Sequence, residues 1–254
     1  MADTALVTGA SSGIGEQFAR QLFARGHELI LVARRGDRLE RIAGELGETA
    51  HVLPCDLATE ADSLGGRVAE LGLDVDLLVN NAGFGTYGHF VDLDGRREAE
   101  EVRVNCEAVV ALTHAFLPAM VKRGRGGVIV VASTAGMQPI PYETTYSATK
   151  AFALTFTEAL HEELRGTGVR MLAVNPGPVP TEWQGIAGHD DTTLVPGEIP
   201  AEQVVRESLE AYDASRRSVI PGRTIRWFIR ATSPSPRALQ LRITERMFRR
   251  GLRR

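Results

Sequence analysis

Tyr146 and Lys150 lie four residues apart in the stretch YSATK, which places them on one face of a predicted helix. A free tyrosine has a pKa of about 10. A lysine charge about 4 Å away would stabilise its phenolate by roughly 4 kcal/mol at an effective dielectric of about 20, which equals about three pKa units. Such a phenol could exchange a proton near neutral pH, as a general acid or base must. The alternative is an ordinary polar helix surface.

Apolar runs of strand length recur along the chain, and they define the elements that must position this pair. We predict strands at 4–8, 28–33, 51–55, 76–83, 127–133, 169–177 and 218–222. Most are continuously apolar, which is typical of strands buried on both faces of a parallel sheet. Segments of helical periodicity alternate with them. This alternation predicts an α/β fold, with a doubly wound parallel sheet of about seven strands and helices on both faces.

One predicted helix is unusually long. The segment 101–124 has continuous helical character, and we expect a kink or break at Pro118. We expect earlier helices to end at Gly26 and Gly47, since glycine is frequent just beyond a helix C-terminus.

A glycine-rich turn, TGASSGIG (8–15), follows the first strand and opens the first helix. Gly9, Gly13 and Gly15 permit a tight turn and a close approach of the backbone to a ligand. The free N–H groups of the following helix N-terminus can bind a pyrophosphate. The turn therefore predicts nucleotide binding at the carboxyl edge of the sheet.

Three motifs in this order, TGASSGIG (8–15), NNAG (80–83) and YSATK (146–150), resemble those of the short-chain dehydrogenase/reductase family. Asn105, Ser133 and the stretch PGPVPT (176–181) also match, and the resemblance covers about residues 4–222. It implies a Rossmann-type fold, a nicotinamide cofactor and hydride transfer between that cofactor and a carbonyl carbon.

The resemblance assigns catalytic roles to Asn105, Ser133, Tyr146 and Lys150. Tyr146 would give or take the proton, and Ser133 would hydrogen-bond the substrate oxygen. Lys150 would also hold the nicotinamide ribose. Asn105 would bind a water that links Lys150 to solvent.

The end of the second strand, LVARR, decides the expected cofactor. Ala33 stands where an acid would bind both ribose hydroxyls of NAD. Arg34 and Arg35 follow, and a guanidinium pairs with a 2′-phosphate in a bidentate fashion. We therefore predict NADP(H); the alternative is that both arginines are solvated loop residues.

The resemblance implies further cofactor contacts. Asp56 would accept a hydrogen bond from the adenine amino group, with a helix cap as the alternative, and Asn80 would tie neighbouring strands together. Thr181 and the backbone near Val179 would hold the carboxamide. The complete predicted set is Gly9, Ser11, Ser12, Gly13, Ile14, Gly15, Arg34, Arg35, Asp56, Leu57, Asn81, Ala82, Gly83, Tyr146, Lys150, Pro176, Gly177, Val179 and Thr181.

The composition excludes several other classes. A net charge of −3 gives no general reason to expect nucleic acid, and no His, Cys, Asp or Glu group has metal-ligand spacing, so we predict no metal. The first residues lack the pattern of a secretory signal, and no run of about 18 consecutive apolar residues predicts a membrane span. We expect a cytoplasmic protein.

Three segments, 84–90, 135–143 and 183–200, are expected to line the substrate cleft, and the last of them is a candidate lid. Their large side chains, Phe84, Met137, Ile140, Tyr142 and Trp183, make the cleft apolar. They contain no arginine or lysine to bind a carboxylate or phosphate. We therefore expect a largely apolar, lipid-like ketone, aldehyde or alcohol as substrate.

The C-terminal stretch is basic. Residues 221–254 hold ten arginines and one acid, Glu245, for a net charge of about +9 against about −12 for the preceding residues. We treat 1–222 as the NADP-binding and catalytic domain and 223–254 as its extension. The extension could pack over the substrate cleft or against a partner subunit, lie on an anionic membrane, or bind nucleic acid. The family resemblance implies a homodimer or homotetramer.

These features favour an NADPH-dependent reductase of an apolar ketone or aldehyde, or equally a dehydrogenase of the alcohol. The alternative from another class is a non-catalytic NADP-binding scaffold or redox sensor. Such a scaffold would not need the complete Asn-Ser-Tyr-Lys set. A 3-oxoacyl thioester reductase is a second enzymatic alternative, which would need a groove for a pantetheine arm.

Overall fold

The computed structural model describes residues 3–182, 185, 187, 197–232, 235–249 and 252. Seven parallel strands form one sheet in the order β3-β2-β1-β4-β5-β6-β7. The strands are β1 (Thr4–Thr8), β2 (Glu28–Ala33), β3 (Ala50–Pro54), β4 (Val75–Asn80), β5 (Gly126–Val131), β6 (Val169–Val174) and β7 (Ser218–Val219). The predicted α/β fold with a doubly wound parallel sheet is confirmed.

Helices cover both faces of the sheet because successive side chains of each strand point to opposite sides. Ala5 and Val7 of β1 pack in one hydrophobic cluster, whereas Leu6 packs in the other. The first cluster includes α1 (Gly13–Ala24), α2 (Gly36–Leu46) and α7 (Ala201–Asp213). The second includes α3 (Leu64–Glu70), α5 (Ala108–Arg123) and α6 (Thr144–Glu163). Both faces of the sheet are therefore buried by apolar side chains, as the continuously apolar strands predict.

Several predicted strands extend too far at their carboxyl ends. The residues at 81–83, 132–133 and 175–177 leave the sheet instead of continuing it. Strand order reverses between β1 and β4, where connections diverge and a crevice opens at the carboxyl edge. The residues that we wrongly included in the strands, 81–83, 132–133 and 175–177, therefore lie at the edge of the sheet where a ligand would bind.

The long predicted helix departs from α-helical geometry before residue 108 and not at Pro118. A helix α4 (Gly95–Val102) passes into a π-helical turn (Arg103–Glu107), which continues as α5. Pro118 lies inside α5 without ending it. The irregular turn contains Asn105, and π turns are frequent at functional sites. The irregularity therefore lies at residues 103–107, which contain no proline, and not at Pro118 where we expected it.

Within the described residues, one helical stretch, Gly95–Arg123, has the length and composition to cross a membrane. Its α5 part packs against the sheet through Val109, Leu112, Phe116 and Met120. We interpret it as a core helix because that apolar face is already buried by the sheet.

The basic extension forms two helices, α8 (Arg223–Thr232) and α9 (Arg237–Arg249). Ile225 and Ile229 of α8 and Phe248 of α9 are buried. Arg226 donates to Glu207 of α7 at 2.9 Å, which ties α8 to the preceding chain. The described part of the extension therefore packs on the body of its own chain, one of the arrangements left open by the sequence.

Candidate active site

The glycine turn between β1 and α1 is shaped by close backbone contacts. Gly9 and Gly13 have φ values of +65° and +57°, which favour glycine. A Cβ on Gly9 would lie 2.8 Å from the side-chain nitrogen of Asn81. A Cβ on Gly15 would lie 2.2 Å from the carbonyl oxygen of Gly9, so Gly15 allows α1 to approach the turn.

Asn81, rather than Asn80, ties β1 to β4. The side chain of Asn81 donates to the carbonyl of Thr8 at 2.9 Å, and its backbone N–H donates to the Thr8 hydroxyl at 2.9 Å. Asn80 instead donates to Thr113 of α5 at 3.1 Å. The strand-linking role predicted for Asn80 was therefore wrong; alternation of side chains along β4 turns Asn80 toward the helix layer.

The two predicted phosphate-binding arginines differ in their surroundings. Arg35 donates to the hydroxyls of Ser11 at 3.0 Å and Ser12 at 2.9 Å, so it lies over the glycine turn. Arg34 is more exposed and forms a longer ion pair, 3.5 Å, with Glu100. Of the two, Arg35 has the geometry of a phosphate ligand within the described structure.

Asp56 lies at the same edge, beyond β3. One of its carboxylate oxygens accepts from the N–H of Ala58 at 3.0 Å. Asp56 therefore caps a turn and not a helix, because the next helical element begins at Ala61, and the adenine contact stays a prediction.

A cavity of about 480 Å³ extends from the glycine turn to the first turn of α6. This volume is in the range typical of small-molecule sites. Of the predicted cofactor residues, those that line it are Gly9, Ser11, Ser12, Gly13, Ile14, Arg34, Arg35, Asp56, Leu57, Asn81, Ala82, Gly83, Tyr146, Lys150, Pro176, Gly177, Val179 and Thr181. Gly15 lies behind the lining, where it serves packing.

Ser133, Tyr146 and Lys150 meet at the far end of this cavity. The Ser133 hydroxyl is hydrogen-bonded to the Tyr146 phenol. Lys150 Nζ lies 5.8 Å from the centroid of the Tyr146 ring and donates to the carbonyl oxygen of Val131 at 2.8 Å. A Cβ on Gly83 would lie 3.2 Å from Lys150 Nζ, so a glycine there leaves the ammonium room.

The expected acidification of Tyr146 is not what this geometry produces. Burial raises the pKa of the Tyr146 phenol above its usual value, Glu143 raises it further, and the Ser133 hydrogen bond lowers it only in part. Burial also lowers the pKa of the Lys150 ammonium to about 8. Desolvation therefore dominates the pKa of both groups, a contribution that the value obtained from the spacing did not include.

Asn105 connects α6 to the rest of the site and does not line the cavity. Its side chain donates to the carbonyl of Phe84 at 2.8 Å and to the hydroxyl of Thr149 at 3.0 Å, and it accepts from the N–H of Phe84 at 3.2 Å. These bonds join the π-helical turn to the loop after β4 and to α6. Its predicted water-binding role stays a prediction.

Three buried glutamates surround the Tyr146 region. Desolvation raises the pKa of Glu101 to about 7 and the pKa of Glu143 to about 8. Glu101 accepts from Thr86 at 3.1 Å, and Glu98 accepts from Thr145 of α6. Each has its other oxygen buried with no hydrogen-bond partner among the described residues.

The sequence analysis included Glu143 only as the last residue of the expected cleft segment 135–143, and it did not single out Glu98 or Glu101. The usable signal was spacing: residues 98, 101 and 105 fall on one helical face, three and four residues apart.

The extension supplies part of the cleft. Ile140 and Tyr146 pack with Phe248 in a small apolar cluster that also contacts Tyr87, Tyr142 and Met247. The Tyr142 hydroxyl donates to Glu245 at 2.8 Å, and Tyr87 donates to the backbone carbonyl of Phe248. Helix α9 is thus fixed over the mouth of the cleft.

The predicted substrate residues have mixed outcomes. Phe84 and Ile140 line the cavity, whereas Tyr142 and Met137 do not. Tyr142 packs against the apolar cluster that contains Ile140. Trp183 and most of the predicted lid, 183–200, lie outside the described residues. The extension also lines the cavity, through Phe228, Ile229, Thr232, Ser235, Gln240, Ile243, Thr244, Met247 and Phe248.

Comparison with known proteins identifies the family. The model of the short chain dehydrogenase family matches residues 3–191. The chain is 35% identical over 193 residues to the very-long-chain 3-oxoacyl-CoA reductase of Bos taurus, which is 72% of this chain and 61% of that protein. The chain therefore belongs to the short-chain dehydrogenase/reductase family, a family of oxidoreductases. It spans less than two thirds of that relative.

Solved structures agree with this assignment. A short-chain dehydrogenase from Sphingobium yanoikuyae in complex with NADPH has a TM-score of 0.81 and 32% identity, covering 91% of this chain and 93% of that one. A 7β-hydroxysteroid dehydrogenase has a TM-score of 0.85 and 25% identity, covering 96% of both chains.

Proposed function

We propose that this protein is an NADPH-dependent reductase of a largely apolar, lipid-like ketone or aldehyde, which also oxidises the corresponding alcohol. The observation that carries the proposal is one continuous cavity, with the glycine turn and Arg35 at one end and Ser133, Tyr146 and Lys150 at the other. A single elongated ligand can therefore contact a phosphate-binding end and a proton-donating end.

The residues present fit a dinucleotide phosphate. The turn formed by Gly9 and Gly13, both with positive φ, and the N-terminus of α1 would hold the pyrophosphate. Arg35, Ser11 and Ser12 would hold the 2′-phosphate, since a guanidinium with two neighbouring hydroxyls matches a phosphate monoester. The bound cofactor supplies the hydride that reduces the carbonyl carbon. One solved neighbour is complexed with NADPH and another with NADH, so the proposed preference for NADP(H) rests on Arg35 and its surroundings.

Proton transfer falls to Tyr146. Its raised pKa keeps the phenol protonated at neutral pH, which suits a general acid in the direction of reduction. The Ser133 hydroxyl has one proton, which now points to the Tyr146 oxygen and would turn to the carbonyl oxygen of the substrate when it binds. Lys150 would return a proton to the tyrosine afterwards. Carbonyl, hydride and proton together give the alcohol.

The lining supports an apolar substrate. Ile140, Met247 and Phe248 pack with Tyr146 at its end of the cavity, and Ile243 also belongs to the cavity lining. Within the described residues, the cations in the lining are Arg34, Arg35 and Lys150, all of which we assign to the cofactor or the chemistry. Names of relatives agree: one reduces a very-long-chain acyl thioester, and another acts on a steroid. A 3-oxoacyl thioester is therefore the second candidate substrate class.

The test is NADPH oxidation with carbonyl compounds graded by chain length and bulk, together with free acyl thioesters. Tyr146→Phe keeps the shape of the ring, so it should bind NADPH like the parent protein but lose at least about 100-fold in kcat. Equal turnover of this variant would refute the assigned acid. NADPH binding without turnover of any carbonyl would favour the alternative of a non-catalytic scaffold or redox sensor.

We also propose a cytoplasmic homodimer or homotetramer. Phe152 and Phe156 stack on α6 with Phe152 partly exposed, and Val102 and Val110 are exposed near α5, so helices α4–α6 offer an apolar surface to a second copy. Light scattering would give the number of subunits.

Peripheral membrane contact by α8 and α9 is the alternative role of the extension. Cosedimentation of the full chain with anionic vesicles tests it.

A further inference from the structure

Glu182 forms a bridge between two arginines at the adenosine end of the cavity. One carboxylate oxygen lies 2.7 Å from Arg35 Nη1, and the other lies 2.6 Å from Arg38 Nη1. The pKa of Glu182 is lowered by the hydrogen bonds from Arg35 and Arg38, so it is an anion at neutral pH. Glu182 comes from the loop after β6, directly after Thr181, whereas the arginines belong to the start of α2.

The same Arg35 holds the hydroxyls of Ser11 and Ser12 through its other terminal nitrogen. The guanidinium therefore presents one edge to the glycine turn and another to a carboxylate. A carboxylate and a phosphate accept hydrogen bonds from a guanidinium in the same planar, charge-assisted geometry. The anion that completes this donor set within the described structure is a side chain of the protein itself.

We propose that the Glu182 carboxylate holds the place of the cofactor 2′-phosphate and is exchanged for it when NADP(H) binds. This inference rests on the proposed preference for NADP(H). The carboxylate has a charge of −1, and a phosphate monoester has about −1.5 to −2 near neutral pH, so the phosphate is the stronger partner for two guanidinium groups. NADH has no such group, and it leaves the ion pairs intact.

Glu182 is then a specificity-determining residue that acts against NADP(H). Breaking its two ion pairs opposes the binding of a cofactor that carries a 2′-phosphate and leaves the binding of NADH unaffected. Both pairs are partly exposed, with side-chain exposures of 37%, 38% and 46% for Arg35, Arg38 and Glu182, so each is weak. We expect Glu182→Gln to lower the Kd for NADPH about threefold to tenfold and to leave the Kd for NADH unchanged.

The chain offers a closely matched control. Glu45 also bridges two arginines, Arg20 at 2.6 Å and Arg41 at 2.7 Å, and its side chain is 43% exposed. It lies at the other end of α2, outside the cavity lining. Glu45→Gln should change neither Kd.

The experiment is a fluorescence or calorimetric titration of the purified protein with NADPH and with NADH, without substrate. A selective gain in NADPH affinity for Glu182→Gln supports the exchange. If Glu182→Gln weakens both cofactors, Glu182 is a strap that stays closed over them, and the exchange is wrong. An unchanged NADPH affinity also overturns it.

The two proposals fail separately. A parent protein that binds NADH more tightly than NADPH would contradict the proposed cofactor, yet a selective NADPH gain in Glu182→Gln would still support the exchange. A parent protein that prefers NADPH, with no effect of the variant, would leave the cofactor proposal standing and overturn the role of Glu182.

Discussion

The side-chain amide of Asn105 donates a hydrogen bond to the Thr149 hydroxyl at 3.0 Å, and this bond joins the π-helical turn to α6. Thr149 lies between Tyr146 and Lys150 in sequence, and its hydroxyl donates in turn to the Tyr146 carbonyl at 2.9 Å. Both side chains are buried. The position of the proposed acid therefore depends on a residue that does not line the cavity.

Replacing Asn105 by Ala should cost about 1–3 kcal/mol of stability, because it leaves buried polar groups of Phe84 without their partner. We expect kcat to fall more than NADPH affinity, since α6 loses its tie to the turn. Chemical denaturation and steady-state kinetics measure the two effects.

Thr113→Val provides the control. It removes a comparable buried hydrogen bond, which the Asn80 amide donates to the Thr113 hydroxyl at 3.1 Å, but this bond involves α5 and not α6. A similar loss of stability with normal kcat per folded molecule is the expected result. A kcat loss as large as that of Asn105→Ala would show that general destabilisation explains both.

Carbonyl reduction should decline as the pH rises through about 8. Burial lowers the pKa of Lys150 from 10.5 to about 8, so the ammonium loses its proton in this range and can no longer return one to Tyr146. The measurement is kcat for reduction from pH 6 to 10. In Lys150→Arg the cation persists, so the decline should move to higher pH even though kcat is lower. A flat profile to pH 10 in the parent protein would contradict the role of Lys150.

Stability should fall between about pH 5 and 8 because of Glu143. Its folded pKa is about 8 against an ordinary value of 4.5, so the folded state binds more protons than the unfolded state across this window. The stabilising contribution is complete below pH 4.5 and is lost as the pH rises through 8. Glu143→Gln removes this contribution and leaves the smaller one of Glu101, whose pKa is raised to about 7; we expect the variant to gain on the order of 3 kcal/mol relative to the parent between pH 5 and 8.

Denaturation at several pH values measures this difference. Glu40→Gln, at an exposed position of α2, should keep the pH dependence of the parent protein. An identical pH dependence in Glu143→Gln and the parent would rule out a protonated glutamic acid beside Tyr146.

Arg35 should discriminate between the two nicotinamide cofactors. Arg35→Ala removes the guanidinium that contacts Ser11 and Ser12, and we expect the Kd for NADPH to rise about 10- to 100-fold, as for a lost charge-assisted hydrogen bond. The Kd for NADH should change by less than about threefold. Arg41→Ala, on the same helix but outside the cavity lining, is the matched control. Equal losses for both cofactors would place Arg35 elsewhere than at the 2′-phosphate.

Phe248 should limit the size of the substrate. Its side chain is 6% exposed and packs with Ile140 and Tyr146 at the cleft. Phe248→Ala should cost up to about 3 kcal/mol of stability and lower KM for bulkier ketones relative to small ones, because it enlarges the apolar end. Trp227→Ala, at a side chain that is 68% exposed, should leave both unchanged. An unaltered substrate order in Phe248→Ala would remove α9 from the substrate site.

The sequence alone determined the fold class and the edge of the sheet where the site lies. Continuous apolar runs alternating with helical periodicity permit few arrangements other than a parallel sheet covered on both faces, and parallel strands bring their carboxyl ends together. The glycine turn at 8–15 and the pair of Tyr146 and Lys150 are local signals, carried by nearby residues. Each could therefore be recognised without any knowledge of long-range contacts.

Only the tertiary structure decided the electrostatics and the boundary of the cleft. The acidity of Tyr146 depends on how completely it is buried and on Glu143 and Glu101, and spacing along one helix does not report either. Phe248 reaches the site from more than a hundred residues away, and Glu182 reaches Arg35 across the glycine turn. Desolvation and long-range ion pairs depend on the environment created by the whole fold, so no local pattern could have fixed them.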